Sequence, residues 1–224
     1  MKPLRQRRNL SHVIALLFFL SICSEAGAQT PREEETLYVT IHLPYGISVE
    51  IPRSWRIIVG ETKEALETAV SGDIDLSRMH VPDSNVLLRA NATPTDRPAW
   101  VSVALLPKVI LTPAQAVKLS SGELQDYDRD LRQSVGSFLQ SQKMELLEWH
   151  ETRKDLLNEH LTLVSEYRRR GKNNLLVWEQ INTIPLSTGT MTLTVAYNER
   201  AGPPWRSVVM RIRSSCRVSS DSSP

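Results

Sequence analysis

The densest group of charged side chains in the sequence is the run Arg168-Arg169-Arg170-Gly171-Lys172. Four cations within five residues can attract anionic lipid, an anionic polymer or an acidic protein surface. The run follows a segment that alternates apolar and polar residues, so we predict that it forms the tip of a hairpin. Charged side chains are also ordinary in solvated turns. Two interpretations therefore stay open: a partner surface formed by Arg168, Arg169, Arg170 and Lys172, or a turn that binds nothing.

Nucleophilic chemistry would depend on Cys216, because the other cysteine, Cys23, lies in the N-terminal segment. Trp205, Val208, Ile212 and Cys216 recur at steps of three and four residues, which is the spacing of one helix face. We therefore expect a buried and inert thiol, with a reactive or interchain thiol as the alternative. The sequence contains no Gly-x-Ser-x-Gly elbow. It predicts no catalytic residue.

The histidines after the N-terminal segment are His42, His80, His150 and His160. No two of them are spaced four residues apart, as the two ligands of a zinc-binding helix would be. His150 and His160 flank one predicted hairpin and supply only two of the four ligands that tetrahedral zinc needs. We expect neither a metal site nor a cofactor.

The first 28 residues have the three regions of a secretory signal peptide. The basic segment Lys2–Arg8 precedes an apolar core, Val13–Cys23, which is shorter than the roughly 20 residues that span a bilayer. Ala26 and Ala28 then give the small-x-small pattern of a cleavage site before Gln29. The prediction is a cleaved signal and a periplasmic or secreted protein with no stable membrane span. A retained N-terminal anchor helix is the alternative.

Removal of this segment changes the charge of the protein. Of 27 basic and 25 acidic residues, residues 1–28 contain four and one, which leaves 23 and 24. A nearly neutral chain does not favour nucleic acid as a partner. We expect a flexible lead-in at 29–36, a single domain at 37–218 and a disordered tail at 219–224.

The elements that must position these residues begin with short strands. Leu37–Ile41 and Ile47–Ile51 alternate apolar and polar residues, Pro52 ends the second run, and Trp55–Val59 continues as a third strand. A short helix is predicted over Lys63–Val70 and a loop over residues 73–84. Further strands are predicted at Val86–Ala90 and Trp100–Leu106.

Helix signals dominate the middle of the chain. Thr112 followed by Pro113 marks a helix start, and Ser120 with Glu123 forms a capping box for a second helix. An amphipathic stripe with a period of three to four residues follows. It comprises Leu124, Tyr127, Leu131, Val135 and Phe138.

The last third of the chain is predicted to be mostly sheet, closed by a helix. Strands are expected near Glu145–Arg153, His160–Arg168, Asn174–Ile181 and Thr190–Tyr197, and the helix starts at Pro203. Hairpin-linked strands with helices at three separate points predict an α+β domain. We expect an antiparallel sheet with helices on both faces.

This order of elements resembles the PsbP/Mog/DcrB-like superfamily of α/β/α sandwiches. The resemblance is carried by Tyr45–Trp55 (YGISVEIPRSW), the long helix after Leu111-Thr112-Pro113, the hairpin Thr152–Tyr167 and the closing segment Trp205–Val218. Members include a lumenal photosystem subunit, a Ran-binding release factor and bacterial envelope proteins. The resemblance implies binding or assembly and brings no shared active site.

The expected function is a non-enzymatic binding or assembly domain for an unknown envelope protein or ligand. Its contact surface would be the more polar face of the sheet or the Arg168–Lys172 tip. The alternatives are a binder of a small or lipidic envelope ligand in an apolar cleft and, third, a hydrolase.

Overall fold

A computed structural model describes residues 37–59, 65–66, 73–77, 85–92, 99–171 and 174–219. The predicted signal peptide with Ala26, Ala28 and Gln29, the predicted lead-in, Lys172 and residues 220–224 lie outside these ranges. The described strands are β1 (Tyr38–Leu43), β2 (Ile47–Pro52), β3 (Arg56–Val59), β4 (Ala65–Leu66), β5 (Ile74–Asp75), β6 (Val86–Asn91), β7 (Ala99–Leu106), β8 (Glu145–Leu157), β9 (His160–Arg170), β10 (Leu176–Pro185), β11 (Thr190–Asn198) and β12 (Arg217–Val218). The described helices are α1 (Pro113–Lys118), α2 (Ser121–Ser141) and α3 (Pro203–Ser215), with a 3₁₀ turn at Glu199–Ala201.

These strands form two mostly antiparallel sheets, so the protein is a mixed α+β structure. The small sheet has the order β12-β2-β1-β5 and the large sheet has the order β4-β3-β6-β7-β11-β10-β9-β8. Only the pair β1 and β5 is parallel among the described strands. Strands β8 to β11 are long and joined by hairpins, which places β8 at one edge of the large sheet.

The corner Pro52–Trp55 is the point at which the chain passes from the small sheet to the large one. Pro52 is the last residue of β2, and the Trp55 N–H donates to the Pro52 carbonyl oxygen at 2.9 Å. Strand β3 then pairs with β6 in the large sheet. Trp55 and Ile57 are buried. The single sheet expected from the sequence is therefore two sheets, because the turn redirects β3 away from β2.

Both helix starts in the middle of the chain are confirmed. The Thr112 and Ser120 side chains each accept a hydrogen bond from the backbone N–H three residues on, and the Gln115 and Glu123 side chains each accept one from the backbone N–H of the cap residue. These reciprocal bonds satisfy N–H groups that a helix start otherwise leaves without partners. The helix stripe is also confirmed, with Leu131 and Val135 buried and Leu139 added to it.

The apolar interior consists of two clusters. The larger contains side chains of the small sheet, of α3 and of the large sheet, among them Trp55, Val103 and Trp205. The smaller contains three residues of α2 together with Tyr167 and Ile181. We call the side of the large sheet that carries Tyr167 and Ile181 the α2 face.

Two predictions in the N-terminal third are wrong where the structure describes the chain. Ala65–Leu66 pairs with Ile57 and Ile58 as strand β4, within the segment predicted as a helix. Ile74–Asp75 pairs with β1, within the segment predicted as a loop. Pairing with a neighbouring strand satisfies backbone groups, and such tertiary contacts outweigh a weak local preference. The rest of both segments lies almost wholly outside the described residues.

The prediction that Arg168–Arg170 lies at a hairpin tip is also wrong. All three arginines belong to β9 and have register partners on both neighbouring strands, as Arg168 does with Glu148 and Trp178. The strand extends past the apolar segment because the acidic side chains of its neighbours pair with the arginines. The turn of the hairpin between β9 and β10 begins after these arginines, where the Gly171 N–H donates to the Leu175 carbonyl oxygen at 2.8 Å. The tip of the β8–β9 hairpin is Asn158–Glu159, where both residues have positive φ angles of 49° and 72°.

Candidate functional site

Alternation along β9 divides the basic run between the two sides of the large sheet. Successive residues of a strand point to opposite faces. Arg169 therefore shares the α2 face with Tyr167, whereas Arg168 and Arg170 point to the opposite side. The sequence-predicted partner surface is thus split: the structure does not bring Arg168, Arg169 and Arg170 together on one surface, and Lys172 is not described.

On the side opposite α2, strands β8 and β9 present a group of charged and polar side chains. Register pairs place Glu148 opposite Arg168 and His150 opposite Glu166. We call this group the polar sheet face, and it consists of Glu148, His150, Arg153, Glu166 and Arg168. Four of these side chains are between 39% and 49% exposed, so a partner can reach them without rearrangement of the sheet.

Arg168 is held at the centre of a network of carboxylates. Its Nε and NH2 donate to the two Glu199 oxygens, each at 2.8 Å, and its NH1 donates to Glu148 Oε2 at 3.1 Å. A fork-to-fork pair of this kind fixes the plane of the guanidinium as well as its charge. The hydrogen bonds that Arg168 donates to Glu199 and Glu148 raise the pKa of Arg168 above its usual value. The cation is therefore permanent and its orientation is fixed.

Glu166 is the second fixed charge of the polar sheet face. Its Oε1 accepts hydrogen bonds from Arg153 NH2 at 2.5 Å and from Gln180 Nε2 at 2.8 Å. Partial burial alone would raise the pKa of this carboxyl, but the bonds from Arg153 and Gln180 outweigh it and lower the pKa below its usual value. The carboxylate stays ionised at neutral pH.

A third ion pair joins the polar side of the sheet to α3. Arg213 NH2 donates to Asp155 Oδ2 at 2.6 Å, and Arg213 Nε donates to Asn182 Oδ1 at 2.8 Å. Asn182 is fully buried and donates in turn to the Leu193 carbonyl oxygen at 3.0 Å. This network ties the last helix to the sheet next to the polar sheet face.

Arg169 has a different environment from its two neighbours. It is 3% exposed, and its Nε donates to Glu179 Oε2 at 3.1 Å. Its guanidinium carbon lies 5.3 Å from the centre of the Trp100 ring, and its NH1 donates to Met144 Sδ at 3.1 Å. Arg169 therefore cannot form part of an exposed surface, which corrects the prediction for this residue.

The buried ion pair is accompanied by a tyrosine with an unusual hydroxyl. Burial, and then the Glu179 carboxylate, raise the pKa of Tyr167 well above its usual value. Neither the Tyr167 hydroxyl nor Glu179 Oε1 makes a hydrogen bond of acceptable geometry, although both atoms are buried. Trp149 stacks on the tyrosine ring with the ring centres 5.6 Å apart. The cluster is a closed polar centre beneath α2.

The edge strand β8 is fixed to α2 by one carboxylate. Asp128 Oδ1 accepts hydrogen bonds from Trp149 Nε1 at 2.9 Å, from the Thr152 N–H at 2.7 Å and from the Thr152 hydroxyl at 2.7 Å. The register of β8 against β9 shifts between His150 and Arg153. Asp128 thus satisfies the backbone N–H that this bulge leaves without a ladder partner.

The remaining sequence-predicted positions are placed as follows. Arg170 NH1 donates to Glu145 Oε2 at 2.8 Å near the start of β8. His150 lies opposite Glu166 and His160 lies opposite Leu157, so the two histidines do not face each other. Cys216 is 1% exposed and burial raises the pKa of its thiol to about 12, which confirms a buried thiol. The described residues contain no group of three potential metal-ligating side chains.

Sequence reasoning missed the carboxylates that complete these networks. Glu199 lies in the 3₁₀ turn after β11, and Glu179 lies in a strand that reads as apolar on both sides. A signal for Glu179 was present, because an acidic residue inside an apolar strand requires a buried partner. The sequence does not indicate which of the nearby arginines is that partner.

Comparison with known proteins gives two solved structures similar to this chain. The solution structure of cyanobacterial PsbP (CyanoP) from Synechocystis sp. PCC 6803 is 13% identical, covers 78% of this chain and 87% of its own, and has a TM-score of 0.48. The crystal structure of LpqN, involved in cell envelope biogenesis of Mycobacterium tuberculosis, is 14% identical, covers 80% and 89%, and has a TM-score of 0.40. A PsbP protein is thus among the solved structures that are similar to this chain.

No family model matches the chain, and no curated protein matches it. Among the described residues, no helix has the length and apolar character needed to cross a membrane.

Proposed function

We propose that the protein is an exported, non-enzymatic binding or assembly domain whose polar sheet face contacts a partner protein. One observation carries this proposal: the side chains of that face are accessible, yet their positions are fixed by ion pairs before any partner arrives. Arg168 is held by Glu199 and Glu148, and Glu166 is held by Arg153. A fixed pattern of alternating charges favours specific recognition, because a mismatched partner meets like charges.

The protonation states of the same residues favour binding over catalysis. General acid–base catalysis needs a group whose pKa lies near the working pH. The pKa of Arg168 is raised and that of Glu166 is lowered, so both move away from neutrality. The raised pKa of Cys216 makes its thiol a poor nucleophile.

The finer architecture that we propose is an α/β/α sandwich. The two apolar clusters contain residues from opposite sides of the same strands. In β10, for example, Ile181 belongs to the smaller cluster beneath α2 and Trp178 belongs to the larger cluster. This arrangement supports coverage of the large sheet by helix α2 on one side and by α3 with the small sheet on the other. The part of the second side over β8 and β9 is left for a partner.

Export is tested by the N-terminus of the protein isolated from its producing cells. Cleavage by a signal peptidase predicts that the chain begins at Gln29 and is recovered outside the inner membrane. An uncleaved chain that stays with the membrane would support the anchor alternative instead. Both outcomes are read from intact mass and cell fractionation.

Contact at the polar sheet face is tested by photo-crosslinking in intact cells. A photoreactive phenylalanine replaces His150, whose side chain is 49% exposed, or Arg132, an exposed residue of α2. We expect a defined protein adduct from position 150 and none of that mass from position 132. In a separate pull-down with the purified protein and no photoreactive residue, His150→Glu should weaken binding of the same partner by about tenfold, because a negative charge next to Glu166 changes the charge pattern that the partner meets. Equal adducts from both positions would overturn the proposal.

A small or lipidic ligand in an apolar cleft stays the alternative. Mass spectrometry of lipids in the same captured material separates the two. A lipid that copurifies with the protein and is unaffected by His150→Glu would favour the alternative. A protein adduct that depends on position 150 would favour the contact surface.

A further inference from the structure

The α2 face continues beyond the buried ion pair into a row of polar side chains. Arg89 of β6 lies directly opposite Ser102 of β7, and Ser102 lies directly opposite Thr194 of β11. Residues opposite each other in antiparallel strands point to the same side, with Cβ atoms about 5 Å apart. The row therefore spans two strand spacings, about 10 Å, which lets the long arginine side chain extend over Ser102.

None of the three polar groups in this row has a partner in the described part of the chain. Ser102 and Thr194 are 5% and 4% exposed, and their hydroxyl oxygens are buried without a hydrogen bond. Arg89 is half-buried, and burial is the sole cause that lowers the pKa of its guanidinium. Buried hydroxyls are normally hydrogen-bonded, and buried charges are normally paired. Two buried hydroxyls without partners next to an unpaired, half-buried cation call for a common explanation.

We propose that Arg89, Ser102 and Thr194 form a binding site for a small oxyanion, a carboxylate or a phosphate group. Such a group accepts two parallel bonds from the guanidinium and one from each hydroxyl, so a single ligand satisfies all three residues. Its negative charge offsets the half-buried cation. A cation is excluded as the ligand, because Arg89 would repel it.

The surrounding residues favour an anion at this position. Arg56 of β3 lies opposite Asn91 and therefore on the same side as Arg89, which places a second cation on the neighbouring strand. Arg169 and Glu179 lie farther along this face and are paired with each other. Arg89 is partly exposed, whereas Ser102 and Thr194 are buried, so an anion would reach the hydroxyls past the arginine side chain.

The test is an anion titration of the purified protein at constant ionic strength. Inorganic phosphate and acetate are titrated separately, with chloride as the balancing ion, and backbone amide shifts of residues on β6, β7 and β11 are followed by NMR. We expect saturable shifts with at least one of the two anions. Phosphate alone identifies a phosphate site, acetate alone identifies a carboxylate site, and saturation by neither anion overturns the proposal.

Two variants separate a built site from nonspecific attraction. Arg89→Met should weaken anion binding by about tenfold to a hundredfold, the range expected for a lost charge-assisted hydrogen bond. Arg132→Met removes the same charge from an exposed position on α2 and should leave the affinity unchanged. Equal effects of both variants would overturn the proposal.

Ser102→Ala keeps the proposal falsifiable if Arg89→Met does not fold. Removal of an unpaired buried hydroxyl should leave the melting temperature without anion unchanged or higher. The same variant should reduce the rise in melting temperature that the anion causes, since fewer bonds hold the ligand. A lower melting temperature together with an unchanged anion response would show that the hydroxyl has a structural partner and no ligand.

Discussion

The two sides of strand β9 carry arginines in opposite environments. Arg168 lies on the side open to solvent and is shared between two carboxylates, whereas Arg169 is buried against Trp100 and paired with Glu179 alone. The residues are adjacent and chemically identical. The difference shows that strand alternation, and not local composition, decides whether a charged side chain is exposed or buried.

The energetic consequences of the two positions also differ. An exposed ion pair gains little because water already solvates both charges. A buried pair has lost that solvation, so removal of one member leaves the other charge without compensation. The two positions should therefore differ most in the free energy of unfolding that is lost when each arginine receives the same substitution.

Substitution of the two arginines by methionine should give the largest contrast. Arg169→Met is expected to lower the free energy of unfolding by about 3–5 kcal/mol, because Glu179 stays buried without its cation. Arg168→Met should cost about 1 kcal/mol or less. Urea unfolding followed by tryptophan fluorescence measures both.

A second substitution identifies the cause of that loss. If the uncompensated carboxylate is responsible, Glu179→Gln in the Arg169→Met background recovers part of the stability. Equal destabilisation by the two single arginine variants would contradict the distinction between the faces.

Asp128→Ala should give the next largest effect, again on the α2 side. The substitution removes the acceptor of three hydrogen bonds and leaves the Thr152 N–H of the bulge without a partner. We expect a loss of about 2 kcal/mol. Asp126→Ala on the same helix is the matched control, since Asp126 only pairs with exposed Arg129 and should change the free energy by less than about 0.5 kcal/mol. A similar loss for both variants would assign the effect to α2 rather than to the bulge.

Acid titration should show how much the polar sheet face contributes to the stability of the folded protein. The pKa of Glu166 is lower in the folded protein than the usual value of 4.5. Its contribution to stability is therefore complete above about pH 4.5 and is lost as the pH falls through the lower folded pKa. Glu166→Gln should lower the free energy of unfolding by about 1 kcal/mol at pH 7. The difference from the unsubstituted protein should disappear at low pH in denaturant titrations, and a difference that stays constant with pH would contradict this assignment.

Glu159→Gly should give the smallest effect. Glu159 lies in the turn between β8 and β9, which sets the register of these two strands and so the side chains on both faces. Glu159 has a φ angle of 72°, a conformation that glycine adopts without steric cost. The variant is expected to gain about 0.5–1 kcal/mol in thermal or chemical unfolding. Asn158→Gly is the control that should lose stability, because the Asn158 side chain donates to the Ser214 and Cys216 carbonyl oxygens.

Local signals predicted the elements of this fold well. Capping residues defined the starts of helices α1 and α2, since a cap depends on side chains within three residues of each other. Period-three-to-four spacing placed Cys216 on a buried helix face, and period-two alternation predicted β6 to β11 to within a few residues. All of these signals act over a few neighbours in sequence.

Long-range pairing was not accessible in the same way. The second sheet forms because β3 pairs with β6 across about 30 intervening residues. No local sequence pattern indicates that β6 is the pairing partner of β3. For the same reason the basic run was predicted as one cluster: the sequence shows four cations together, but only the pairing of β9 with β8 and β10 shows that Arg169 faces α2. The carboxylate at position 199 is likewise brought to Arg168 by the return of β11.

What the sequence determined by itself is the set of elements: the corner at Pro52, the capped helices and the alternating strands. Their causes are the fixed φ angle of proline, side-chain capping and apolar periodicity, and each operates within one or two turns of chain. Only the tertiary structure decided which charges are exposed, which are buried in pairs and which have no partner. Those properties depend on residues that are far apart in sequence and are brought within a few ångströms by strand register.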